Sequence, residues 1–119
     1  MTRSLVSNVS VLTAIANDMG YEQTFRFQLE MGLASKDDVL ILISSSGNSP
    51  NIIEAAKYAI EHEMILIGMS GFDGGRLKEM ATISLHVPVS NYGVVEDCHQ
   101  ALMHCLAQVH YLQVRQKAP

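Results

Sequence analysis

Residues 38–51 read DVLILISSSGNSPN, and this stretch decides the fold. Its first half, from Asp38 to Ser44, is almost continuously apolar and branched, which predicts a strand that is buried on both faces. Its second half is a serine-rich turn in which Pro50 is well placed as the first residue of a helix. A buried strand that leads through such a turn into a helix is typical of a parallel α/β sheet.

Further strands and helices alternate along the rest of the chain. Apolar runs predict strands at 65–69 and, more weakly, at 83–87, and helical patterns lie at 51–63, about 74–80 and 91–116. Two more helices are expected upstream, at 7–18 and 21–33, and Arg3-Ser4-Leu5 fits the end of another strand. The order β-α-β-α-β-α implies parallel strands joined by right-handed crossovers.

Length and charge limit the class of protein. The 119 residues suit one domain spanning 1–119, and 12 acidic against 8 basic residues argue against a nucleic-acid or membrane partner. No apolar run reaches the roughly 18 residues of a membrane span, and the N-terminus has no apolar signal segment. Cys98 and Cys105 lie about 10 Å apart along one predicted helix, so we expect reduced packing thiols and a cytoplasmic location.

The serine-rich turn is the strongest functional signal. Gly47 permits a positive φ, and Ser49 is well placed as the N-cap of the following helix. Backbone N–H groups and the hydroxyls of Ser44, Ser45, Ser46 and Ser49 then point toward one place, where a phosphate monoester fits. The alternative is a turn that only caps the helix. Its position at the carboxyl end of a parallel strand favours ligand binding.

The last predicted helix carries a second candidate pair. Its apolar stripe is expected to pack on the sheet, while Glu96 and His104 lie on the far side. These two are either a solvated or interface pair, or a proton-transfer pair or metal ligands. His99, at the edge of the stripe, is expected to be a satisfied packing histidine. A half-apolar far face is also typical of a helix that touches a partner subunit.

Two weaker motifs remain. Asn17 and Asp18 stand at a helix end before Gly20, where a capping turn is the simpler interpretation. In the turn Gly71-Phe72-Asp73-Gly74-Gly75, Asp73 is the candidate N-cap of a short helix.

These motifs occur in the same order in one family. The serine loop 44–49, the segment Leu12-TAIANDMGYE, the Gly71-Phe72-Asp73-Gly74-Gly75 turn and the Glu96–His104 helix resemble the sugar isomerase (SIS) domain family, in its phosphoheptose isomerase branch. The resemblance implies a three-layer α/β/α sandwich with a five-stranded parallel sheet of flavodoxin-like topology. It also implies a homo-oligomer, either a dimer or a tetramer.

The resemblance assigns roles to particular residues. Ser44, Ser45, Ser46 and Ser49 would bind the sugar phosphate, and Asn17 and Asp18 would touch substrate. His104 would act in proton transfer and bind zinc, the one cofactor that the resemblance implies. Glu96, a further substrate contact and zinc ligand, stands where the family has a glutamine. The reaction would interconvert sedoheptulose 7-phosphate and its aldose through an enediol.

One departure from the family is that three of its elements have no counterpart in residues 1–119. These are the first strand, the Gly-rich loop and the following helix, which would lie before Met1. That helix carries the catalytic Glu and a zinc-binding His, so the resemblance implies an N-terminally incomplete domain. We expect the open edge of the strand at 39–43 to be covered by Arg3-Ser4-Leu5 or by another chain. Two functions stay open: an isomerase when complete, and a non-catalytic phosphosugar-sensing or protein-interaction module.

Overall fold

A three-stranded parallel sheet forms the centre of the computed structural model, which describes residues 2–117. The strand order is β1-β2-β3, and each strand pairs in parallel with the next. The elements are helix α1 (Val9–Met19), a 3-10 turn (Tyr21–Gln23), α2 (Arg26–Met31), β1 (Val39–Ser44), α3 (Pro50–Glu61), β2 (Ile65–Ser70), α4 (Gly75–Met80), β3 (Ile83–His86) and α5 (Tyr92–Lys117). The predicted α/β class and alternating order are therefore confirmed.

The hydrophobic core lies on one face of this sheet. Small residues of α3 let the helix pack closely there, and Ala55, Ala56 and Ala59 are fully buried. Leu40 and Leu42 of β1 face the same core, together with Leu66 of β2. Burial that alternates along β1 shows that every second residue points into this layer.

The other face of the sheet is covered only near the end of β2, where Met69 is fully buried, so the prediction that β1 is buried on both faces is wrong for the described chain. Val39 and Ile41 are 55% and 47% exposed, and Ile65 and Ile83 on the neighbouring strands are exposed to a similar degree. The pattern of β1 fits a strand covered from both sides, but residues 2–117 supply a full layer of helices on one side.

The first half of the chain packs beside this layer. The predicted helix at 21–33 is divided into the 3-10 turn and α2, because the Thr24 hydroxyl donates to the Tyr21 carbonyl, 2.8 Å away, and competes with regular helix. Arg26 of α2 reaches Glu61 of α3, with 2.7 Å between guanidinium and carboxylate. The hydrogen bond from Arg26 holds the pKa of the Glu61 carboxyl below its usual value.

Helix α5 behaves differently in its two halves. Val95 and His99 are buried, whereas Leu106, Val109 and Leu112 are 43–54% exposed, so the predicted apolar stripe packs in its first half only. The chain has a radius of gyration of 15.0 Å, against about 13.5 Å for a compact domain of this length. Both cysteines are free, and Cys105 is exposed and does not pack as expected. Within residues 2–117, no helix is long and apolar enough to cross a bilayer.

Residues 3–5 do not form a strand, contrary to expectation. Residues 4–7 turn instead, and the Ser7 amide donates to the Ser4 carbonyl. The sheet of the described chain therefore ends at β1, whose outer edge has no strand beside it. Leu5 still packs against the core, so residues 2–6 stay close to this edge without pairing with it.

Candidate functional site

The serine loop lies at the carboxyl end of β1. Ser44 is the last residue of that strand and Pro50 the first of α3, so the loop stands between a strand end and a helix N-terminus. Gly47 has a φ of +66°, as predicted, and a Cβ built there would come within 2.0 Å of the Gly74 carbonyl oxygen. The loop thus requires glycine for both its backbone angle and its close packing.

Ser49 occupies the N-cap position of α3, but its hydroxyl does not cap the helix. The Ser44 and Ser49 hydroxyl oxygens lie 3.1 Å apart and share a hydrogen bond across the loop. The side chain of Asn51 instead accepts from the Ile52 amide at 3.0 Å. Two hydroxyls therefore meet at the end of β1, and each hydroxyl has further capacity to accept or donate hydrogen bonds.

Ser45 and Ser46 are half-buried at the centre of the loop. The Ser46 hydroxyl accepts from the Asn48 amide at 3.2 Å, and the Ser45 carbonyl accepts from the Gly71 amide at 2.8 Å. These bonds fix the backbone of the loop. The structure therefore brings together all four predicted serines, Ser44, Ser45, Ser46 and Ser49, in one fixed turn.

The glycine-rich turn after β2 supports the serine loop from the side. The Leu77 amide donates to the Gly47 carbonyl at 2.9 Å, and the Arg76 amide donates to the Asn48 side chain at 3.0 Å. An arginine of α4 thus stands beside a loop that has no basic residue of its own. The prediction that Asp73 is the N-cap of α4 is wrong, because Gly74 takes that position. The Asp73 carboxylate accepts a hydrogen bond from the Gly75 amide.

A row of polar residues at the strand ends escaped the sequence analysis. Ser44, Ser70 and His86 end the three strands and pair in register across the sheet. Ser70 is fully buried, and its hydroxyl lies 3.2 Å from His86 Nδ1. Ser44 and Ser70 each close an apolar run in the sequence, whereas His86 lies inside the predicted third strand, so without the register nothing joins the three.

His99 links the first half of α5 to this row. Its Nε2 lies 3.1 Å from the Ser70 carbonyl oxygen, and the side chain is 2% exposed. Because a carbonyl can only accept, Nε2 is the donor of this hydrogen bond. Nδ1 has no hydrogen-bond partner in the described chain, so the expectation of a fully satisfied packing histidine is wrong at one of its two nitrogens.

Glu96 and His104 are both exposed on α5. Eight residues of helix separate them by about 12 Å along the axis, and residues 2–117 contain no group of three histidine, cysteine or acidic side chains that could hold a metal ion. Structural and catalytic zinc sites take three or four protein ligands. The described residues therefore do not fit a zinc site, and no zinc-dependent step is assigned to them.

Asn17 and Asp18 lie near the end of α1, where the Asn17 amide donates to the Asp18 carboxylate at 2.8 Å. Both are exposed, and no hydrogen bond in the described part of the chain joins them to the serine loop. The two residues form a polar pair within the last turn of α1, just before Gly20.

The chain is similar to known proteins in both sequence and structure. The family described as SIS domain matches residues 1–71. The chain is 42% identical over 106 residues to the phosphoheptose isomerase of Aliarcobacter butzleri, which covers 89% of this chain and 56% of that protein. Against the phosphoheptose isomerase of Helicobacter pylori (strain 26695) it is 43% identical over 103 residues, covering 87% of this chain and 53% of that protein.

The chain is also similar to solved structures of phosphoheptose isomerases. A phosphoheptose isomerase from Neisseria gonorrhoeae superposes with a TM-score of 0.85 at 37% identity, covering 90% of this chain and 60% of that one. A phosphoheptose isomerase from Francisella tularensis has a TM-score of 0.82 at 35% identity, covering 88% and 56%. The chain spans about half the length of the curated relatives that it matches.

Proposed function

The chain belongs to the SIS domain family, and from this premise we propose that it binds a phosphorylated sugar at the loop from Ser44 to Ser49, as a domain of the phosphoheptose isomerase type. The observation that carries the proposal is the hydroxyl pair of Ser44 and Ser49, 3.1 Å apart at the carboxyl end of β1. Ligands of parallel α/β sheets bind at such strand ends.

The chemistry of the loop supports an anionic ester as the ligand. Ser45, Ser46 and one hydroxyl of the Ser44–Ser49 pair can donate to phosphate oxygens while that pair stays bonded. The N-terminus of α3 adds a positive partial charge. Asn17 and Asp18 are proposed as contacts to the sugar on the strength of the family alone. The natural ligand class is therefore a ketose or aldose phosphate such as sedoheptulose 7-phosphate.

Catalysis would be an aldose–ketose isomerisation through an enediol, in which a base and an acid act on neighbouring carbons. His104 is the proposed proton-transfer residue and Glu96 the proposed neighbour, which replaces a family glutamine. Both are exposed. A complete acid–base pair is not assembled among residues 2–117, so isomerase activity is proposed for a complete domain.

That observation favours a second candidate function, a non-catalytic module that senses a phosphosugar or binds another protein. The two candidates share the serine loop and differ in chemistry. The discriminating assay uses the chain extended upstream of Met1. Conversion of sedoheptulose 7-phosphate by the extended chain, abolished by His104→Ala, would support the enzyme, and binding of the same ester without conversion by the extended chain would support the module.

The binding proposal is tested by calorimetric titration with sedoheptulose 7-phosphate. Loss of one hydrogen bond to a charged group is worth about 1.5–3 kcal/mol, so Ser46→Ala is expected to weaken binding roughly 10- to 100-fold. Ser84→Ala, which removes an exposed hydroxyl from β3, is the matched control and should bind like the parent. Equal affinities of Ser46→Ala and the parent would reject the site.

Two accompanying proposals concern the cellular location and the oligomeric state of the protein. Free Cys98 and Cys105 suit the cytoplasm, where thiols stay reduced. A homo-oligomer, either a dimer or a tetramer, is supported by the exposed apolar residues in the second half of α5. Sedimentation velocity on the full chain measures the assembly directly, and a single species at the monomer mass would contradict it.

A further inference from the structure

Two aromatic rings meet near the carboxyl end of the sheet, and the proposed function has not yet used them. Phe72 lies just after the end of β2, and Tyr92 is the first residue of α5. Their ring centroids are 4.7 Å apart, with the ring planes inclined by 57°. Phe72 is half-buried, whereas Tyr92 is 58% exposed. We call this pair the aromatic wall, and it leaves ring surface accessible to a ligand.

The backbone of Phe72 is strained. Its φ is +51°, in the left-handed region that bulky side chains rarely adopt. Phe72 is the first central residue of a turn in which the Gly74 amide donates to the Gly71 carbonyl at 2.7 Å, and a positive φ at this place favours glycine. A phenylalanine where glycine is favoured indicates that the ring is needed there.

The other non-glycine residues with a positive φ have an explanation that Phe72 lacks. Leu33 and Glu63 have φ values of +52° and +54°. Each follows the end of a helix in a Schellman motif, as shown by the Met64 amide donating to the Ala59 carbonyl at 2.9 Å. Phe72 ends no helix, since it lies between β2 and α4. Backbone strain without a capping role is typical of ligand sites.

The aromatic wall adjoins the serine loop. The Gly71 amide donates to the Ser45 carbonyl at 2.8 Å, so the residue before Phe72 is bonded to the centre of that loop. The Phe72 amide donates to the Val89 carbonyl at 3.2 Å, in the segment that leads into α5. Val95 of α5 packs on Gly71, where a Cβ would come within 2.5 Å of the valine side chain. These contacts fix the wall beside the loop.

We propose that the aromatic wall receives the carbon skeleton of the sugar whose phosphate the serine loop binds. The inference rests on the proposed function and names the surface that distinguishes a phosphorylated sugar from phosphate itself. The serine hydroxyls suit the phosphate. Aromatic faces carry partial negative charge and attract the weakly positive C–H groups of a sugar, and ligand sites combine such rings with a few polar groups. Phe72 and Tyr92 are therefore specificity-determining residues.

A purely structural pair is the other explanation for this contact. In that case Phe72 and Tyr92 would only join the turn after β2 to the start of α5, and their loss would disturb the serine loop through Gly71. Binding of phosphate and binding of a sugar ester would then weaken together. A wall that contacts the sugar predicts a loss confined to the ester, so a comparison of two ligands separates the two roles.

The test is titration of the full chain with inorganic phosphate and with sedoheptulose 7-phosphate. Phe72→Ala and Tyr92→Ala should each weaken binding of the ester about 3- to 10-fold. Both variants should leave the dissociation constant of inorganic phosphate unchanged. Tyr111→Ala, which removes a tyrosine of similar exposure from the second half of α5, is the matched control and should leave both constants unchanged.

Nuclear magnetic resonance of the unaltered chain gives a second measurement that depends on no variant. With sedoheptulose 7-phosphate bound, nuclear Overhauser contacts should join the ring protons of Phe72 and Tyr92 to carbon-bound protons of the sugar. Ser46→Ala keeps the two proposals apart, because it should weaken binding of both inorganic phosphate and the ester.

Three results would overturn the proposal. Unchanged ester affinity in Phe72→Ala and Tyr92→Ala, with the loss in Ser46→Ala retained, would leave phosphate binding at the loop standing and reject the wall. Equal losses for the ester and inorganic phosphate would assign the aromatic pair a structural role. A parent chain that binds neither ligand would reject the proposed function itself, and the wall with it.

Discussion

Replacing Gly47 by alanine tests whether the serine loop is held by the close approach of two turns. Gly47 has a φ of +66°, and a Cβ there would lie 2.0 Å from the Gly74 carbonyl oxygen and 3.1 Å from the Gly75 Cα. Both neighbours are backbone, so no flexible side chain can move aside. The whole turn at Gly71–Gly75 would have to shift.

The expected cost has two parts. A side chain in the left-handed region costs about 1–2 kcal/mol, and forcing extra volume into a packed site costs about 1–3 kcal/mol more. Gly47→Ala should therefore lower the free energy of unfolding by roughly 2–5 kcal/mol, a large share of the 5–15 kcal/mol typical of a domain. The displaced loop should also bind sedoheptulose 7-phosphate more weakly.

Urea denaturation monitored by circular dichroism measures the first effect. A loss of about 3 kcal/mol lowers the midpoint by about 2 M if the slope is roughly 1.5 kcal/mol per M. Gly93→Ala is the control, because its Cβ meets only the Asn91 side chain at 3.4 Å, and alanine should favour the helix by up to about 1 kcal/mol. If Gly47→Ala unfolds at the parent's midpoint, the packing argument for the loop is wrong.

Other residues give independent predictions. Leu77 is fully buried against β2, so Leu77→Ala should lower the free energy of unfolding by about 2–5 kcal/mol in the same urea experiment. If it lowered that free energy by less than the exposed control Leu106→Ala does, the placement of Leu77 in the core would be wrong. The pKa of Glu61 is lowered by Arg26, so the pair stabilises the fold above the carboxyl's unfolded pKa and loses this effect as the pH falls through the lower folded value. The stability difference between parent and Glu61→Gln should therefore shrink from pH 6 to pH 3, and a constant difference would refute the pairing. Equilibrium dialysis of the tag-free chain against zinc should give less than one bound ion in ten chains, unaltered by His104→Ala, and one tight ion per chain would contradict the absence of a three-ligand cluster in residues 2–117.

The positions of β1 and β2 could be predicted well because each is a short apolar run closed by a serine. The run from Val39 to Ser44 and its turn into α3 were found within a residue of their observed limits. The helix at 21–33 was less accurate, because the local hydrogen bond of the Thr24 hydroxyl divides it. Such competition between side chain and backbone leaves no periodic signal.

Within the candidate site, the sequence identified the four serines and the need for a glycine at position 47. The sequence predicted that the Ser49 hydroxyl caps the amides of α3, whereas in the folded loop this hydroxyl bonds to the Ser44 hydroxyl. Which of two nearby partners a hydroxyl takes depends on how the loop packs against Gly74 and Gly75. That contact joins residues far apart along the chain.

The amino-acid sequence by itself determined the alternation of strands and helices, the parallel arrangement and the serine turn, since these follow from local periodicity and turn chemistry. Tertiary structure alone decided that one row is formed by Ser44, Ser70 and His86. It also decided that the second half of α5 does not pack on the sheet, and that β1 keeps an open edge beside residues 2–6. The register of the strands depends on pairing between segments that are distant in the sequence. An apolar pattern predicts that a face of a strand will be buried, but it does not specify which element buries it.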